Sequence, residues 1–430
     1  MTSFIKDVFS VGISKFLMIS FGLGTSIIVA RTLGPEKNGI IAALAVYPSI
    51  FMTIGSLGIR QSTTFFLGKK IFSEKEIKTA ITQIWMLSTV ISIIACFFLM
   101  TQFSKSGDNI LLVILALIPI PFSLFNTYNS GIFLGKNQIE VFNKINWIPT
   151  VIVFVLTAVL VWMFKLDIAG YMLAIIGGPV FIFLILLFKN KFIKAFSFNY
   201  NWYIIKKMLG LGMVYAIALL IINLNTRLDI ILLDKLSSQY ETGIYSKGAA
   251  ITQYLWQIPM LLSTIIFARS AMSKNDKLFS VKVTQILRLS LVFVGFGLLI
   301  LFFFSKWIII GMYGEEYEGS IMVLNLLLGG VLLLTIFKSM NQDMAGKGKP
   351  WVSMKAMLPA LIINIGLNIF FIPEYGANGA ALTSTFSYST AALLFLHFYS
   401  KEVDIPVRQI LQYRKSDFDT IINIAKKLKK

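Results

Sequence analysis

The residues best suited to bind a ligand or carry out chemistry in this sequence are charged and amide side chains within long apolar segments. The densest group is the run Asn223-Leu224-Asn225-Thr226-Arg227-Leu228-Asp229. On a helix, spacing by four residues places Asn223 beside Arg227 and Asn225 beside Asp229, whereas Arg227 and Asp229 do not face each other. Charged groups in apolar helices are costly and usually face a cavity or a partner. The run therefore predicts a polar cavity lining that includes Asn223 and Asn225; a structural pair between helices is the alternative.

Basic side chains outnumber acidic ones inside these apolar segments. The basic residues are Lys15, Arg227, Lys247, Arg288, Lys338 and Lys355, and Asp229 is the one clear acid. For the last three basic residues, the alternative is a side chain that reaches the membrane interface. A net basic lining suits an anionic ligand such as a phosphate or pyrophosphate group. Lys15, Arg227, Asp229 and Lys247 are therefore candidate substrate-binding residues, and Asp229 is alternatively a site for a coupling H⁺ or Na⁺.

The inventory of reactive residues excludes several classes of protein. Cys96 is the only cysteine and His397 the only histidine, so neither a disulfide framework nor a metal cluster is expected. The sequence has no G-x-x-x-x-G-K-[ST] loop, so energy would come from an ion gradient, the membrane potential or consumption of product rather than from ATP. We expect no catalytic residue and no cofactor. The net charge of +19 does not indicate nucleic-acid binding, because no soluble basic domain is present.

Apolar helices must position these side chains. Hydrophobic residues make up 57% of the 430 residues and charged residues 14%, which is more apolar surface than a soluble domain can cover. A helix needs about twenty apolar residues to cross a bilayer. The pattern predicts an all-α integral membrane protein with about twelve such helices, over residues 10–30, 39–59, 79–101, 110–133, 147–164, 168–188, 208–233, 244–267, 284–304, 319–340, 354–372 and 377–399.

The distribution of Lys and Arg predicts the orientation in the membrane. The N-terminus, the segments after even-numbered helices and the C-terminal tail together hold 27 of the 39 Lys and Arg residues, whereas the other connecting segments hold six. Because cytoplasmic segments retain positive charge, this bias places both termini in the cytoplasm.

Recurring landmarks predict that the chain is an internal duplication. Pro48 recurs as Pro259, and Gly135-Lys136 recurs as Gly346-Lys347, each after about 210 residues; Gly39 matches Gly243 more loosely. Parallel repeats of this kind are typical of transporters with a central cavity near the bilayer midplane. We therefore predict an N-lobe over residues 1–200 (helices 1–6), a C-lobe over 201–400 (helices 7–12) and a basic cytoplasmic tail over 401–430.

One motif resembles a known family. The segment from Ala30 to Ile40 contains Ala30-Arg31 and Leu33-Gly34-Pro35, followed by Gly39, and it resembles the A-R-x-L-G-P-x-x-x-G signature that follows helix 1 of polysaccharide (O-antigen, Wzx-type) flippases. This family lies within the multidrug/oligosaccharidyl-lipid/polysaccharide exporter superfamily. Further similar stretches are residues 55–58, 227–233, 243–245, 345–347 and 375–382.

The resemblance implies a fold and a function. The fold would be MATE-like, with twelve helices in two six-helix lobes around a V-shaped cavity. The function would be to move an undecaprenyl-diphosphate-linked oligosaccharide across the bacterial inner (cytoplasmic) membrane. Polysaccharide polymerase and chain-length machinery would be candidate partners. A cationic cavity, carried over by position, points to Arg31, Arg227 and Asp229.

Two other classes of protein remain open at this stage. A cation-coupled drug or metabolite antiporter would have the same fold, but it would be expected to have more buried acids. An integral polymerase or glycosyltransferase would need a reactive site in a sizeable loop, and the longest predicted outward loop, Ser305–Glu318, has about fourteen residues. The sequence therefore favours a transporter over an enzyme.

Overall fold

The protein is helical throughout the residues that its structure describes. The structure is a computed structural model and describes residues 2–136, 138–189, 200–257, 266–267, 269–270, 273, 275–414 and 417, without the side chains of 2–11, 139 and 189. No strand occurs among these residues. The helices are α1 (Thr2–Gly55), α2 (Ile59–Gly68), α3 (Glu74–Phe103), α4 (Ile110–Leu117), α5 (Pro119–Gly135), α6 (Ile139–Thr157), α7 (Asp167–Lys189), α8 (Trp202–Leu236), α9 (Gln239–Leu255), α10 (Asp276–Tyr313), α11 (Gly319–Gly346), α12 (Trp351–Val403) and α13 (Val407–Leu411).

Helix α1 contains two of the predicted membrane helices, because the chain turns back at Gly34. Gly34 has φ 75°, a left-handed conformation that glycine adopts without strain. Beyond this turn, Asn38 Nδ2 donates a hydrogen bond to the carbonyl of Val29 at 3.2 Å. In a straight helix these residues would be about 13 Å apart along the axis. The predicted break between residues 30 and 39 is therefore confirmed.

Helix α12 turns back in the same way at Gly376, which has φ 53°. A methyl group on Gly379 would overlap the carbonyl of Phe371, eight residues earlier in the chain. The amide of Ala377, which opens the second half of α12, donates to Glu241 Oε2 at 2.7 Å. The break predicted between residues 372 and 377 is therefore also confirmed.

Two predicted helix boundaries differ from those in the structure. The second predicted helix does not end at residue 59: Leu57 and Gly58 have positive φ, and α2 then continues to Gly68. The predicted outward loop Ser305–Glu318 is largely helix, since α10 reaches Tyr313. Residues 258–265 of the eighth predicted helix, the repeat landmark Pro259, and residues 418–430 of the predicted tail lie outside the described residues.

Nine helical stretches in the described part of the chain are long and apolar enough to cross a membrane. Their buried side chains form three clusters: two contain residues from Val29 to Met208, and the third runs mainly from Ile221 to Ile410. Two clusters lie mainly in the predicted N-lobe and the third lies mainly in the predicted C-lobe. The first turns of α8 pack on N-lobe residues, whereas its second half packs on residues of both lobes. The predicted boundary at residue 200 lies just before this shared helix.

The lobes touch tightly at one end, which we call the glycine end. A methyl group on Gly39 of α1 would overlap the carbonyl of Gln239 in α9, and one on Gly243 would overlap the carbonyl of Pro35. Nearby, the buried Asp234 of α8 accepts hydrogen bonds from N-lobe donors: Ser104 Oγ at 2.7 Å, Lys105 N at 3.0 Å and Ser106 Oγ at 2.9 Å. The lobes are therefore closed against each other at this end.

The opposite end, which we call the lysine end, contains the end of α2 and the start of α8. Exposed lysines lie there at both helices, including Lys69, Lys70, Lys206 and Lys207. The bias in Lys and Arg places this end in the cytoplasm and the glycine end outside. That orientation, the helix count of twelve and the position of the termini stay predictions.

Candidate functional site

Arg227 is a partly buried cation that has no counter-ion among the described residues. It lies on α8, about nine residues from the end of that helix near the glycine end. In the part of the chain that the structure describes, its guanidinium has no hydrogen-bond acceptor and no carboxylate within ion-pair distance. It lies within electrostatic range of Lys338 and of the buried Tyr388. An arginine fork in this setting retains all its donors for an anionic group.

Lys338 extends this basic region onto α11. It is partly buried, and its Nζ lies 4.9 Å from the ring centroid of Trp256. Trp256 is held in place by a hydrogen bond from Nε1 to the carbonyl of Val331 at 3.2 Å. A cation over a tryptophan face gains only a modest attraction. Lys338 therefore joins the cluster instead of reaching the interface, which was the alternative for this residue.

Lys15 and Lys247 connect the first half of α1 to the C-lobe. Lys15 Nζ donates to Gln257 Oε1 at 3.1 Å, a contact between residues of different lobes. Lys247 is 8% exposed, and its Nζ lies 3.4 Å from Ser26 Oγ and 5.5 Å from the centroid of the Tyr313 ring. Neither ammonium has a carboxylate partner among the described residues. Lys15 and Lys247 therefore lie where α1 meets the C-lobe, and Gln257, the partner of Lys15, directly follows Trp256, whose ring lies next to Lys338.

Asp229 has a different environment from the one the sequence predicts. It is fully buried within the C-lobe. Its Oδ1 accepts from Asn364 Nδ2 at 2.9 Å and Asn368 Nδ2 at 2.8 Å, and its Oδ2 accepts from Tyr245 OH at 2.7 Å and Ser384 Oγ at 2.6 Å. Four donors from α9 and α12 therefore surround the carboxylate in this conformation, and its direct contact with substrate stays a prediction.

The two predicted lining asparagines also differ from each other. Asn223 is partly buried, and its Nδ2 donates to Thr53 Oγ1 of the N-lobe at 2.8 Å, so it lies where the lobes meet. Asn225 is fully buried, and its Nδ2 donates to Ser387 Oγ at 2.8 Å. In this conformation the side chain of Asn225 packs between α8 and α12, and its place in a cavity lining stays a prediction.

Arg31 lies at the glycine end, away from the cluster. Its Nε and Nη2 donate to the carbonyls of Met312 and Gly311, at 2.9 and 2.5 Å, and the side chain is exposed. These carbonyls belong to the last turn of α10, where a helix carries partial negative charge. Arg31 therefore caps a helix of the opposite lobe in this conformation, and its role in binding substrate stays a prediction.

Sequence reasoning missed two features of this region. Arg60 was assigned to a loop, but it lies in the first turn of α2, partly buried and without a described partner. Lys338 was noted as a charge without its pairing to Trp256. No local pattern indicates that pairing, since the two residues are 82 positions apart.

Comparisons with known proteins identify the family. A family model described as "Polysaccharide biosynthesis protein" matches residues 4–269, more than half of the chain. The chain belongs to this family. This family member is 22% identical over 425 residues to the "Probable low-salt glycan biosynthesis flippase Agl15" of Haloferax volcanii, covering 94% of this chain and 83% of that protein. It is 23% identical to the "Capsular polysaccharide biosynthesis protein CapF" of Staphylococcus aureus, covering 93% and 98% respectively.

Solved structures confirm the fold of this polysaccharide biosynthesis protein. The structure titled "Lipid II flippase MurJ, inward closed conformation" matches with a TM-score of 0.75 and 16% identity, covering 96% of this chain and 95% of that chain. An inward-facing multidrug resistance MATE family transporter matches with a TM-score of 0.71 and 13% identity, covering 91% and 98%. The predicted MATE-like fold class is therefore confirmed, and the family member is a multi-pass membrane protein.

Proposed function

We propose that this protein is a flippase for an undecaprenyl-diphosphate-linked oligosaccharide, such as an O-antigen or capsule repeat unit, which it moves from the cytoplasmic to the outer leaflet by alternating access. The observation that carries this proposal is the set of buried or partly buried cations on α1, α8, α9 and α11, namely Lys15, Arg227, Lys247 and Lys338, none of which has a described carboxylate partner. A diphosphate would supply the missing negative charge, and an arginine fork would bind its oxygens bidentately. The names of the related proteins support the same substrate class.

The protein acts in this proposal as a transporter and not as an enzyme. We place it in the inner membrane of a bacterium, where a polysaccharide polymerase and chain-length machinery would use its product. The closed glycine end supports a starting state in which the cations are reached from the lysine end. Rocking of the lobes about the shared helix α8 would then expose the same cations to the opposite side.

We also propose that the Asp229 site holds the coupling ion, H⁺ or Na⁺. Besides the carboxylate, Asn225 and Asn368 each have a buried side-chain oxygen without a hydrogen bond among the described residues. Oxygen ligands of this kind suit a hard monovalent cation. Transport by reconstituted protein at fixed pH, with and without a Na⁺ gradient, distinguishes the two ions. Transport that ignores both gradients and is unchanged in Asp229→Asn would contradict this assignment.

The decisive experiment follows the substrate. A deletion strain should lose surface polysaccharide and accumulate lipid-linked repeat units on the cytoplasmic face, and purified protein in vesicles should flip a fluorescent lipid-linked oligosaccharide. Normal polymer in a deletion strain that has no second flippase would overturn the proposal. Drug hypersensitivity with normal polymer would instead support an antiporter.

A further inference from the structure

A cleft lies at the lysine end between the end of α2 and the start of α8. It has a volume of about 480 Å³ and is lined by Phe65, Phe66, Tyr203, Lys206, Lys207, Gly210 and Leu211. Its floor is apolar, and Gly210 leaves it open, because a methyl group there would meet no atom within 4 Å. The cleft contains none of the four cations that carry the proposed function and has no part in the proposed transport path.

The rim of the cleft combines aromatic rings with lysine ammonium groups. Tyr203 and Trp202 are 65% and 68% exposed. Lys207 Nζ lies 5.8 Å from the centroid of the Tyr203 ring, and Lys69 Nζ lies 4.7 Å from that of Phe65. Exposed aromatic residues beside lysines are typical of the membrane interface.

The acids nearest in the chain are already occupied. Glu74 forms an ion pair with Lys78 at 2.9 Å and a shorter one with Lys136. Glu76 accepts hydrogen bonds from Ser73. Lys69, Lys206 and Lys207 have no carboxylate partner in the described ranges. A cleft with an apolar floor and a cationic rim therefore complements one class of ligand, an anionic lipid.

We propose that this cleft binds one anionic phospholipid of the cytoplasmic leaflet, with an acyl chain over Gly210 and Leu211 and the phosphate between Lys206 and Lys207. Basic pockets between membrane helices on the cytoplasmic side bind such head groups. The lipid would bridge α2 and α8 where the first turns of α8, including Ile205 and Met208, pack on the N-lobe.

The experiment measures lipid retention and does not depend on the cargo. Protein is purified from vesicles of phosphatidylcholine containing about one tenth phosphatidylglycerol, and bound lipid is identified by native mass spectrometry. Wild-type protein should retain about one phosphatidylglycerol per chain. Lys206→Gln/Lys207→Gln should reduce that retention about tenfold or more, since each interfacial lysine attracts anionic lipid.

Two further variants separate the cleft from general surface charge. Gly210→Leu fills the cleft, leaves the charge unchanged and favours the helix, so it should remove the retained lipid without lowering the yield of folded protein. Lys75→Gln/Lys355→Gln removes two exposed lysines of the lysine end outside the cleft and should leave retention unchanged. Equal retention in the cleft variants, or equal loss in this control, would overturn the proposal.

Discussion

Buried acids and partly buried cations have opposite surroundings in this molecule. Asp343 of α11 is fully buried and accepts from Ser270 Oγ, Ser280 Oγ and Tyr399 OH while pairing with Lys347. Asp229 and Asp234 likewise have several donors each. Arg227 and Lys338 have none of the corresponding acceptors in the described part of the chain. Buried carboxylates therefore hold helices together, whereas the unpaired positive charge is left for a ligand.

Removing the Arg227 charge should impair export without removing the protein from the membrane. Arg227→Ala should slow transport of the lipid-linked oligosaccharide about tenfold to a hundredfold, which corresponds to one charge-assisted contact. Arg227→Lys should retain part of the rate, because a point charge replaces the fork. Lys355→Ala, an exposed lysine on α12, is the matched control. Full complementation by Arg227→Ala would remove Arg227 from the site.

Replacing Asp229 should destabilise the C-lobe in graded steps. Asp229→Leu leaves Asn364, Asn368, Tyr245 and Ser384 without their acceptor, at a cost of about 1–3 kcal/mol for each buried donor that stays unsatisfied. Asp229→Asn keeps one acceptor oxygen and should lose less. Thermal unfolding in detergent should rank wild type above Asp229→Asn and Asp229→Leu last. Equal midpoints for all three would contradict the network.

The sequence predicted the polar run of α8 but not the environment of each side chain in it. Local spacing shows that Asn225 and Asp229 share a face, and the structure confirms this. Local spacing does not show that Ser384 and Asn364, more than 130 residues away, donate hydrogen bonds to the Asp229 carboxylate on that face. Long-range partners decide whether a polar stripe faces a cavity or a core, and one sequence does not reveal them.

At the scale of the helices, the breaks that coincide with Gly and Pro could be predicted from the sequence. The distortion between α1 and α2 could not, because the chain continues as a helix beyond it. Gly34 precedes Pro35, and Gly376 follows Pro373 closely, so each turn has a local signal. At Leu57 and Gly58 the chain is distorted but continues in the same membrane span as α2. Hydropathy treated that distortion as a helix end, which moved Arg60 into a predicted loop.

The glycine contact between α1 and α9 should be sensitive to side-chain size. Gly39→Leu would force the lobes apart at the glycine end, because the added atoms would overlap the carbonyl of Gln239. We expect increased labelling of engineered cysteines near this end by a membrane-impermeant reagent added outside, together with loss of transport. Gly366→Leu on α12, whose added methyl would meet open space, is the control. Unchanged labelling in Gly39→Leu would contradict the closed contact.

The chain after α12 should depend on one buried ion pair. Arg288 of α10 holds Asp417 through two hydrogen bonds of 2.7 Å, both side chains are almost fully buried, and Arg288 also donates to the carbonyl of Ile410 at 2.8 Å. The side chain of Arg288 is thus occupied and does not reach the interface. This hydrogen bonding lowers the pKa of Asp417. The stabilisation is therefore present at neutral pH and is lost as the pH falls through the lowered pKa.

Arg288→Met should release this segment. Removing one partner of a buried pair costs about 3 kcal/mol, so limited proteolysis near residue 412 should speed up at least tenfold at pH 7. Lys277→Met is the matched control, because it breaks the exposed pair with Asp404 and exposed pairs contribute little. Equal proteolysis of the two variants would show that the buried pair does not anchor the segment.

At the scale of the whole molecule, the sequence predicted two lobes and the structure adds how they share a helix. Hydropathy and repeated landmarks place a boundary near residue 200. The fully buried residues of α8 divide later, between Met208 in an N-lobe cluster and Ile221 in the C-lobe cluster, and the partly buried Leu224 and Ile230 pack on both lobes. Hydropathy does not locate such a division, because both halves of α8 are equally apolar and only their packing partners differ.

A cross-link at the glycine end should trap the closed state. Ser104 Oγ and Asp234 Oδ2 are 2.7 Å apart and belong to different lobes. Ser104→Cys/Asp234→Cys, in a background where the buried Cys96 is replaced by alanine, should lose transport when joined by a short thiol-reactive linker and recover it when a cleavable linker is reduced. Either single cysteine variant is the control. Full transport by the cross-linked double variant would exclude opening at this end.

The two glycines at this end have one more property: their contact is reciprocal. Gly39 approaches the residue four places before Gly243, namely Gln239, and Gly243 approaches the residue four places before Gly39, namely Pro35. A self-complementary patch of this kind is how two identical subunits meet across a twofold axis. The closed end of this single chain therefore has the reciprocal contact that the duplication predicted from the sequence would produce, because an ancestral six-helix protein that paired through one glycine would leave that glycine in both halves.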